Sequence, residues 1–220
     1  MPTTRANEIL RILKKNFPMP HWASSTRNPF QTLIVTIISQ NTAGKNSAKA
    51  FERLSKKFQI TPEVLAKADE KEIEDALRVA GLFRNKAKTI KNVSQIVLEK
   101  FNGSLDFVHS MLFEEARKTL LILPGVGPKT ADVVLLFSAG KSTIPVDTHV
   151  NRVSKRLGLA PVKADYEGVR MALQSLYAPE DFLAAHLLLI MLGRRYCKAL
   201  KPICTQCLVN SLCPSKRTED

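Results

Sequence analysis

Apolar residues recur along most of the chain at the three- and four-residue intervals of amphipathic helices. The segment 30–38 shows the pattern most fully, with apolar residues at i, i+3, i+4, i+7 and i+8. Its β-branched composition is also typical of strands, but the spacing fits a buried helix better. Similar stripes occupy the segments 9–13, 48–54, 73–80, 87–97, 146–157, 169–176 and 182–192. Because Pro and Gly fall mainly between the stripes, the sequence predicts an all-α fold of about ten short helices.

The charge balance points to an anionic partner. Lys and Arg number 33 against 20 Asp and Glu, which gives the 220 residues a formal net charge of +13. This balance argues against an acidic cytosolic enzyme of neutral metabolites and predicts a polyanion partner. Arg84, Lys86, Lys88 and Lys91 stand close together, and no acid lies between Asp75 and Glu99. They form either a solvated helix face or a strip that faces phosphates.

The sequence also bears on where the chain works. No apolar run reaches the roughly 18 residues needed to span a bilayer, which excludes an integral membrane protein. Residues 1–20 are basic but contain no continuous apolar stretch, so a secretory signal is not expected. A mitochondrial transit peptide is the alternative for this segment, and a folded amphipathic helix is the better interpretation. We expect a cytoplasmic protein that is not secreted.

The segment 121–134 joins two apolar stripes through the turn Pro-Gly-Val-Gly-Pro. Gly125 and Gly127 permit a tight turn whose backbone can approach a ligand closely, and Pro128 suits the first turn of the next helix. The N–H groups of the two glycines and of the helix start are predicted to bind a phosphate without base preference. The alternative is a tight helix–helix turn without a ligand.

Lys129 and Asp147 are the candidate catalytic pair. The positive end of a helix and partial burial would lower the pKa of Lys129, as a nucleophilic amine requires, although a lysine here could also contact phosphate or solvent. Asp147 precedes an apolar stripe and is predicted to cap that helix. A helix over 128–139 is about 18 Å long and residues 140–146 can span about 23 Å, so the chain can return Asp147 to Lys129. An amine and a carboxylate together suit removal of a base from a sugar.

All four cysteines lie close together near the end of the chain. Their spacing is Cys197-x6-Cys204-x2-Cys207-x5-Cys213. Disulfides are the least favoured use in a basic, intracellular type of sequence, and zinc is the serious competitor. One Cys-x2-Cys pair flanked by single cysteines favours a [4Fe–4S] cluster over zinc. Lys198 and Lys201 lie between the first two cysteines, where they could meet phosphates.

Three features together resemble one family. These are the segment 123–131 (Leu-Pro-Gly-Val-Gly-Pro-Lys-Thr-Ala), the segment 146–149 (Val-Asp-Thr-His) and the cysteine spacing of six, two and five. The combination resembles endonuclease III, a base-excision-repair DNA glycosylase of the helix–hairpin–helix superfamily. The resemblance implies a six-helix barrel with the helix–hairpin–helix at 23–139. It also implies an iron–sulfur cluster domain made of 1–22 and 140–220, with DNA across the cleft between the two domains.

The resemblance also implies roles for single residues. Lys129 would be the Schiff-base nucleophile and Asp147 its carboxylate partner. Gln40 would fill the space left by the flipped nucleotide, and Leu82 would insert into the base stack. The residues then predicted to contact DNA are Gln40, Leu82, Arg84, Gly125, Val126, Gly127, Lys198 and Lys201.

The sequence therefore predicts a monomeric, bifunctional DNA glycosylase and abasic-site lyase. It would remove oxidised pyrimidines from double-stranded DNA, cut damaged or abasic strands by β-elimination, and work at the nucleoid of a prokaryotic cell. One alternative is a uracil or thymine-mismatch glycosylase of the same superfamily, against which Lys129 argues. The other is a non-catalytic helix–hairpin–helix DNA-binding protein, which borohydride trapping would distinguish.

Overall fold

The computed structural model describes residues 2–20 and 28–217. The chain divides into two compact units, which we call the hairpin unit (Thr26–Lys141) and the terminal unit (Met1–Ser25 with Ser142–Asp220). Of the two predicted boundaries, the one between residues 22 and 23 lies outside the described residues. The other was placed between residues 139 and 140, whereas the units divide between Lys141 and Ser142.

The described residues form twelve α-helices and contain no strand, which confirms the predicted all-α class. The helices are α1 (Pro2–Asn16), α2 (Pro29–Ser39), α3 (Gly44–Lys57), α4 (Pro62–Lys67), α5 (Glu70–Leu77), α6 (Phe83–Phe101), α7 (Phe107–Ser110), α8 (Phe113–Leu120), α9 (Pro128–Ala139), α10 (Thr148–Arg156), α11 (Tyr166–Leu176) and α12 (Phe182–Arg195). Short 3₁₀ helices lie at Arg78–Ala80, Pro179–Asp181 and Asn210–Leu212. The sequence predicted about ten helices because α4 and α7, with six and four residues, are too short to display a helical period.

The hairpin unit holds α2–α9, and six of these helices have eight or more described residues. Its central helix is α2, which packs against α3, α6 and α9 and is buried on most of its surface. Asn28 begins this helix by accepting a hydrogen bond from the Gln31 N–H at 3.1 Å, and Pro29 occupies its first turn. The helix prediction for segment 30–38 is therefore confirmed, and burial on several sides explains its strand-like composition.

The two helices that flank the hairpin turn are joined by a buried ion pair. Nε of Arg117 on α8 donates to Oδ1 of Asp132 on α9 at 2.7 Å. The side chains are 11% and 0% exposed, so this charge pair lies almost entirely away from solvent. Because it crosses from one helix to the other, it fixes the two sides of the turn against each other.

The terminal unit combines α1 with α10–α12, so both ends of the chain contribute to one core. The apolar stripe of α1 is buried at Ala6, Ile9, Leu10 and Leu13, which confirms the folded amphipathic helix. Arg5 extends this link by donating to the carbonyl oxygens of Gly158 at 3.0 Å and Leu212 at 3.1 Å.

Among the described residues, no single helix is long and apolar enough to cross a membrane. Tyr166–Leu176 and Pro179–Arg195 meet the length and composition test only as a pair, with a bend of 118° between them.

Replacing Arg117 by Met is expected to lower the free energy of unfolding by about 3–5 kcal/mol, because the Asp132 carboxylate stays buried without its guanidinium partner. The shift in the urea midpoint, followed by circular dichroism, measures this. The control is Arg78→Met, which breaks an exposed pair with Asp75 (68% and 58% exposed) and should cost less than about 1 kcal/mol. Equal shifts for the two variants would contradict the role given to the buried pair.

Candidate active site and nucleic-acid interface

The hairpin turn between α8 and α9 has the glycine geometry that its sequence predicts. Gly125 has φ of +74°, and a Cβ there would lie 2.6 Å from Cγ2 of Thr89, so only glycine fits without strain. Val126 is buried and its N–H donates to the Leu123 carbonyl at 3.1 Å, so this residue anchors the turn. Gly127 has an ordinary extended backbone, and a Cβ there would meet nothing within 4 Å.

The turn leaves backbone donors facing outward. Within residues 28–217, the N–H groups of Gly125 and Gly127 have no hydrogen-bond acceptor, and both glycines are exposed. Pro128 then begins the twelve-residue α9, whose positive end lies at this turn. Since no internal packing demands the missing side chain at Gly127, close approach by an external group explains it best. The arrangement suits an anion such as a phosphate.

Lys129 and Gln40 both lie beside this turn. Lys129 is the second residue of α9 and is half-buried. Gln40 follows the last residue of α2, and its Nε2 donates to the Gly125 carbonyl at 3.0 Å and to Oγ1 of Thr130 at 3.3 Å. The structure therefore brings two of the predicted site residues to the same turn, within one unit.

Leu82 lies in an exposed turn before α6. Its side chain is 59% exposed, and both it and Gly81 have positive φ angles, +47° and +62°. A leucine in the left-handed region is uncommon, and one that also faces solvent has no packing reason to be apolar. Arg84, two residues on, is exposed, with its guanidinium carbon 5.5 Å from the ring centre of Phe83.

Neither interpretation of the four cations on α6, a solvated face or a strip that faces phosphates, holds for Lys86 and Lys91. Lys86 is only 5% exposed, and Nζ of the half-buried Lys91 donates to the Ala68 carbonyl at 2.6 Å. Arg84 and Lys88 remain exposed. The burial of Lys86 was predictable from its helical position, because it precedes Ile90 by four residues and so continues the apolar stripe of α6.

Asp147 lies in the terminal unit, at the start of α10. Its Oδ1 accepts a hydrogen bond from the Val150 N–H at 2.7 Å, which confirms the predicted helix cap. The side chain is half-buried and, with Asn151 and Tyr166, lines a cavity of about 350 Å³. The carboxylate thus combines a capping role with access to a space that a ligand can enter.

The four cysteines are half-buried, form no disulfide and line one cavity of about 260 Å³. Burial raises the pKa of the Cys207 and Cys213 thiols, and the other cysteines oppose ionisation further. A bound cationic metal centre would relieve that opposition by taking the thiolate forms.

Two arginines of α10, which the sequence analysis missed, brace the first part of the cysteine loop. Nε of Arg152 donates to the Cys197 carbonyl at 2.9 Å. Arg156 donates to the carbonyls of Lys198 at 2.7 Å and Ala199 at 3.1 Å, and its Nη1 lies 3.5 Å from Sγ of Cys197. Their i, i+4 spacing on one helix face was the only sequence signal.

Four thiols that line one cavity are a donor set that suits an iron–sulfur cluster or a structural zinc ion. In the stretches 2–20 and 28–217, no set of three or more His, Cys, Asp or Glu side chains is arranged to hold a metal ion. Lys198 and Lys201 lie exposed in the loop between the first two cysteines.

Comparison with known sequences identifies the family of this chain. Residues 34–179 match the HhH-GPD superfamily of base excision DNA repair proteins. The chain is 37% identical over 210 residues to endonuclease III of Sulfolobus acidocaldarius, covering 95% of this chain and 92% of that protein. It is 34% identical over 213 residues to endonuclease III of Escherichia coli, covering 97% and 96%.

Solved structures agree. A trapped covalent endonuclease III–DNA intermediate matches with a TM-score of 0.83 and 34% identity over 97% of this chain and 96% of that one. A thermostable thymine-DNA glycosylase matches with a TM-score of 0.73 over 97% and 95%, but its 23% identity shows the fold alone. Together with the glycine hairpin and the cysteine loop, these likenesses show that the chain belongs to the endonuclease III family of the HhH-GPD base-excision repair superfamily.

Proposed function

We propose that the chain is a base-excision DNA glycosylase and abasic-site lyase that removes oxidised pyrimidines through a Schiff base on Lys129. The observation that carries this proposal is the place of Lys129, which follows directly on the outward-facing donors of the hairpin turn. Those donors would hold the DNA backbone by its phosphates and leave the bases free to differ. The solved covalent endonuclease III–DNA intermediate supports the same kind of chemistry.

The proposed reaction has two stages. The uncharged amine of Lys129 attacks C1′ of the extruded nucleoside, the bond from C1′ to the damaged base breaks, and the base leaves with the proton that the attacking amine loses. The carboxylate of Asp147 would stabilise the positive charge that develops on the sugar. The C1′–O4′ bond of the resulting aminal then breaks, O4′ takes a proton, and a protonated imine remains between Lys129 and C1′. This imine permits transfer of a C2′ proton to water and departure of the 3′ phosphate by cleavage of the C3′–O bond, which cuts the strand by β-elimination.

Gln40 and Leu82 would support extrusion of the nucleotide. Flipping a base from the stack costs a few kcal/mol, and a side chain that replaces it offsets part of that cost. Leu82 is exposed in a strained turn, and Gln40 lies against the hairpin, where it can move from the Gly125 carbonyl to DNA. Arg84, Lys198 and Lys201 are exposed cations that would neutralise flanking phosphates.

We also propose that Cys197, Cys204, Cys207 and Cys213 hold a [4Fe–4S] cluster. The four cysteines share one cavity, and their spacing, one Cys-x2-Cys pair flanked by single cysteines, supports a cluster over a single zinc ion. When bound, the cluster would supply a structural tie for the loop 197–213, which otherwise has little apolar core. Because the substrate is duplex DNA, we place this work at the genome, the nucleoid of a prokaryotic cell.

Replacing Lys129 by Ala is expected to reduce the borohydride-trapped adduct with abasic or thymine-glycol duplex DNA by about 10³-fold or more, because no other amine occupies the nucleophile's position. Denaturing gel electrophoresis measures the adduct. The matched control is Lys71→Ala, an exposed lysine of α5, which should trap like the unaltered protein. An adduct that persists in Lys129→Ala would refute the assignment, and its absence in the unaltered protein would favour a non-catalytic DNA-binding protein.

Asp147→Asn separates capping from catalysis. Asn and Asp are equivalent helix caps, so the stability should change by less than about 0.5 kcal/mol. Loss of the negative charge should nevertheless slow single-turnover base removal by about 10²- to 10³-fold. Asp69→Asn, which alters the capping carboxylate of α5, is the control for the substitution itself. Base removal at the unaltered rate by Asp147→Asn would reduce Asp147 to a cap.

Protein isolated without oxygen should be brown and contain about four iron and four sulfide per chain. Cys213→Ser should lower the iron content and speed hydrogen exchange across 197–213, while exchange in α2 stays unchanged. Elemental analysis and exchange mass spectrometry make these measurements. A colourless protein with one zinc per chain would overturn the cluster.

A further inference from the structure

The ammonium group of Lys86 is buried and fully occupied. Its Nζ donates to the carbonyls of Ile38 at 2.8 Å and Ala80 at 3.1 Å, and to Oγ1 of Thr42. A lysine ammonium has three N–H donors, so these three acceptors use all of them. Lys86 is therefore neither a nucleophile nor a phosphate contact, although it lies in the most basic part of the chain.

The three acceptors belong to the two segments proposed to enter DNA. Ile38 lies in the last turn of α2, two residues before Gln40, and Thr42 lies two residues after it. Ala80 directly precedes the turn of Gly81 and Leu82. The single proton of the Thr42 hydroxyl has two carbonyl acceptors within reach, those of Gln40 at 3.1 Å and of Ala80. One ammonium and one hydroxyl thus join both turns.

The cost of burying the Lys86 ammonium favours one arrangement of its three hydrogen-bond acceptors. Burial lowers the pKa of Lys86, which reflects the cost of keeping a cation away from water. The carbonyl end of α2 carries partial negative charge and offsets part of this cost, as do the three hydrogen bonds. Lys86 itself projects from the nineteen-residue α6, which gives the network a rigid base. If either turn moved, the cation would lose a hydrogen bond at a site that is largely shielded from water.

We propose that Lys86 is a positioning residue that sets Gln40 and Leu82 at one fixed separation, so that both can act on the same base pair. The inference rests on the proposed function, since it concerns how the damaged nucleotide is extruded. It assigns Lys86 no part in the chemistry at C1′. Removing the network should therefore impair base flipping in duplex DNA and spare Schiff-base formation where no base must be flipped.

The test compares Lys86→Met with Lys88→Met, which removes one charge from an exposed position on the same helix. A second pair is Thr42→Val, which removes the hydroxyl, and Thr42→Ser, which keeps it. Flipping is followed by the fluorescence of 2-aminopurine next to thymine glycol in a duplex, which rises on unstacking. Schiff-base chemistry is followed separately by borohydride trapping on single-stranded abasic DNA. Circular dichroism shows which variants fold.

Lys86→Met and Thr42→Val should lose most of the fluorescence rise and remove thymine glycol about 10- to 100-fold more slowly, the effect of one to two unsatisfied buried groups. Their trapping on single-stranded abasic DNA should stay within about 2-fold of the unaltered protein. Thr42→Ser should restore flipping, and Lys88→Met should alter only the salt dependence of binding.

Equal losses of flipping and of single-strand trapping, or equal effects of Lys86→Met and Lys88→Met on fluorescence, would overturn the positioning role. If Lys86→Met does not fold, the Thr42 pair decides alone, and full flipping by Thr42→Val counts against the proposal. Failure of the proposed function is distinguishable, because the unaltered protein would then form no adduct on either DNA.

Discussion

The site depends on the backbone N–H groups of Gly125 and Gly127, which lie at the positive end of α9 and have no acceptor within residues 28–217. An exposed turn can leave such donors without an acceptor only if other contacts hold the shape of the turn. Three contacts do so here. Gly125 takes the left-handed conformation against Thr89, Val126 anchors the turn in the core, and the Arg117–Asp132 pair fixes the flanking helices. The donors thus face solvent in a fixed direction before any ligand arrives, which lowers the entropic cost of binding an anion.

The same unit shows a second use of buried charge. Arg117 and Lys86 are both cations placed away from water, yet they meet different partners. Arg117 forms an ion pair with a carboxylate. Lys86 instead donates hydrogen bonds to carbonyls and a hydroxyl, which hold its ammonium group in one orientation. Within the hairpin unit, then, some of the cations counted in the net charge are buried, where they stabilise the segments that would contact DNA. The net charge therefore overestimates the positive charge that the surface presents to DNA.

Periodicity predicted the long helices because their apolar stripes repeat over two or more turns, as in α2 and α6. It missed α4 and α7, which are too short to repeat. The hairpin and the cap at Asp147 were predictable because glycine, proline and aspartate act locally. Lys86 was misjudged because counting charges ignored its helical position. Arg152 and Arg156 were missed because their partners lie about 40 residues away in sequence. The proximity of Lys129 and Asp147 stays a prediction.

The chain order of the terminal unit has a consequence for synthesis. α1 is made first, but the helices that cover its apolar stripe, α11 and α12, follow the whole hairpin unit. At ribosomal speeds of about 5–20 residues per second, that stripe waits on the order of 10–40 s for its partners. The hairpin unit, whose residues are contiguous, can fold during this interval. In a nascent chain the apolar stripe of α1 therefore stays without its native partners until α11 and α12 have been made.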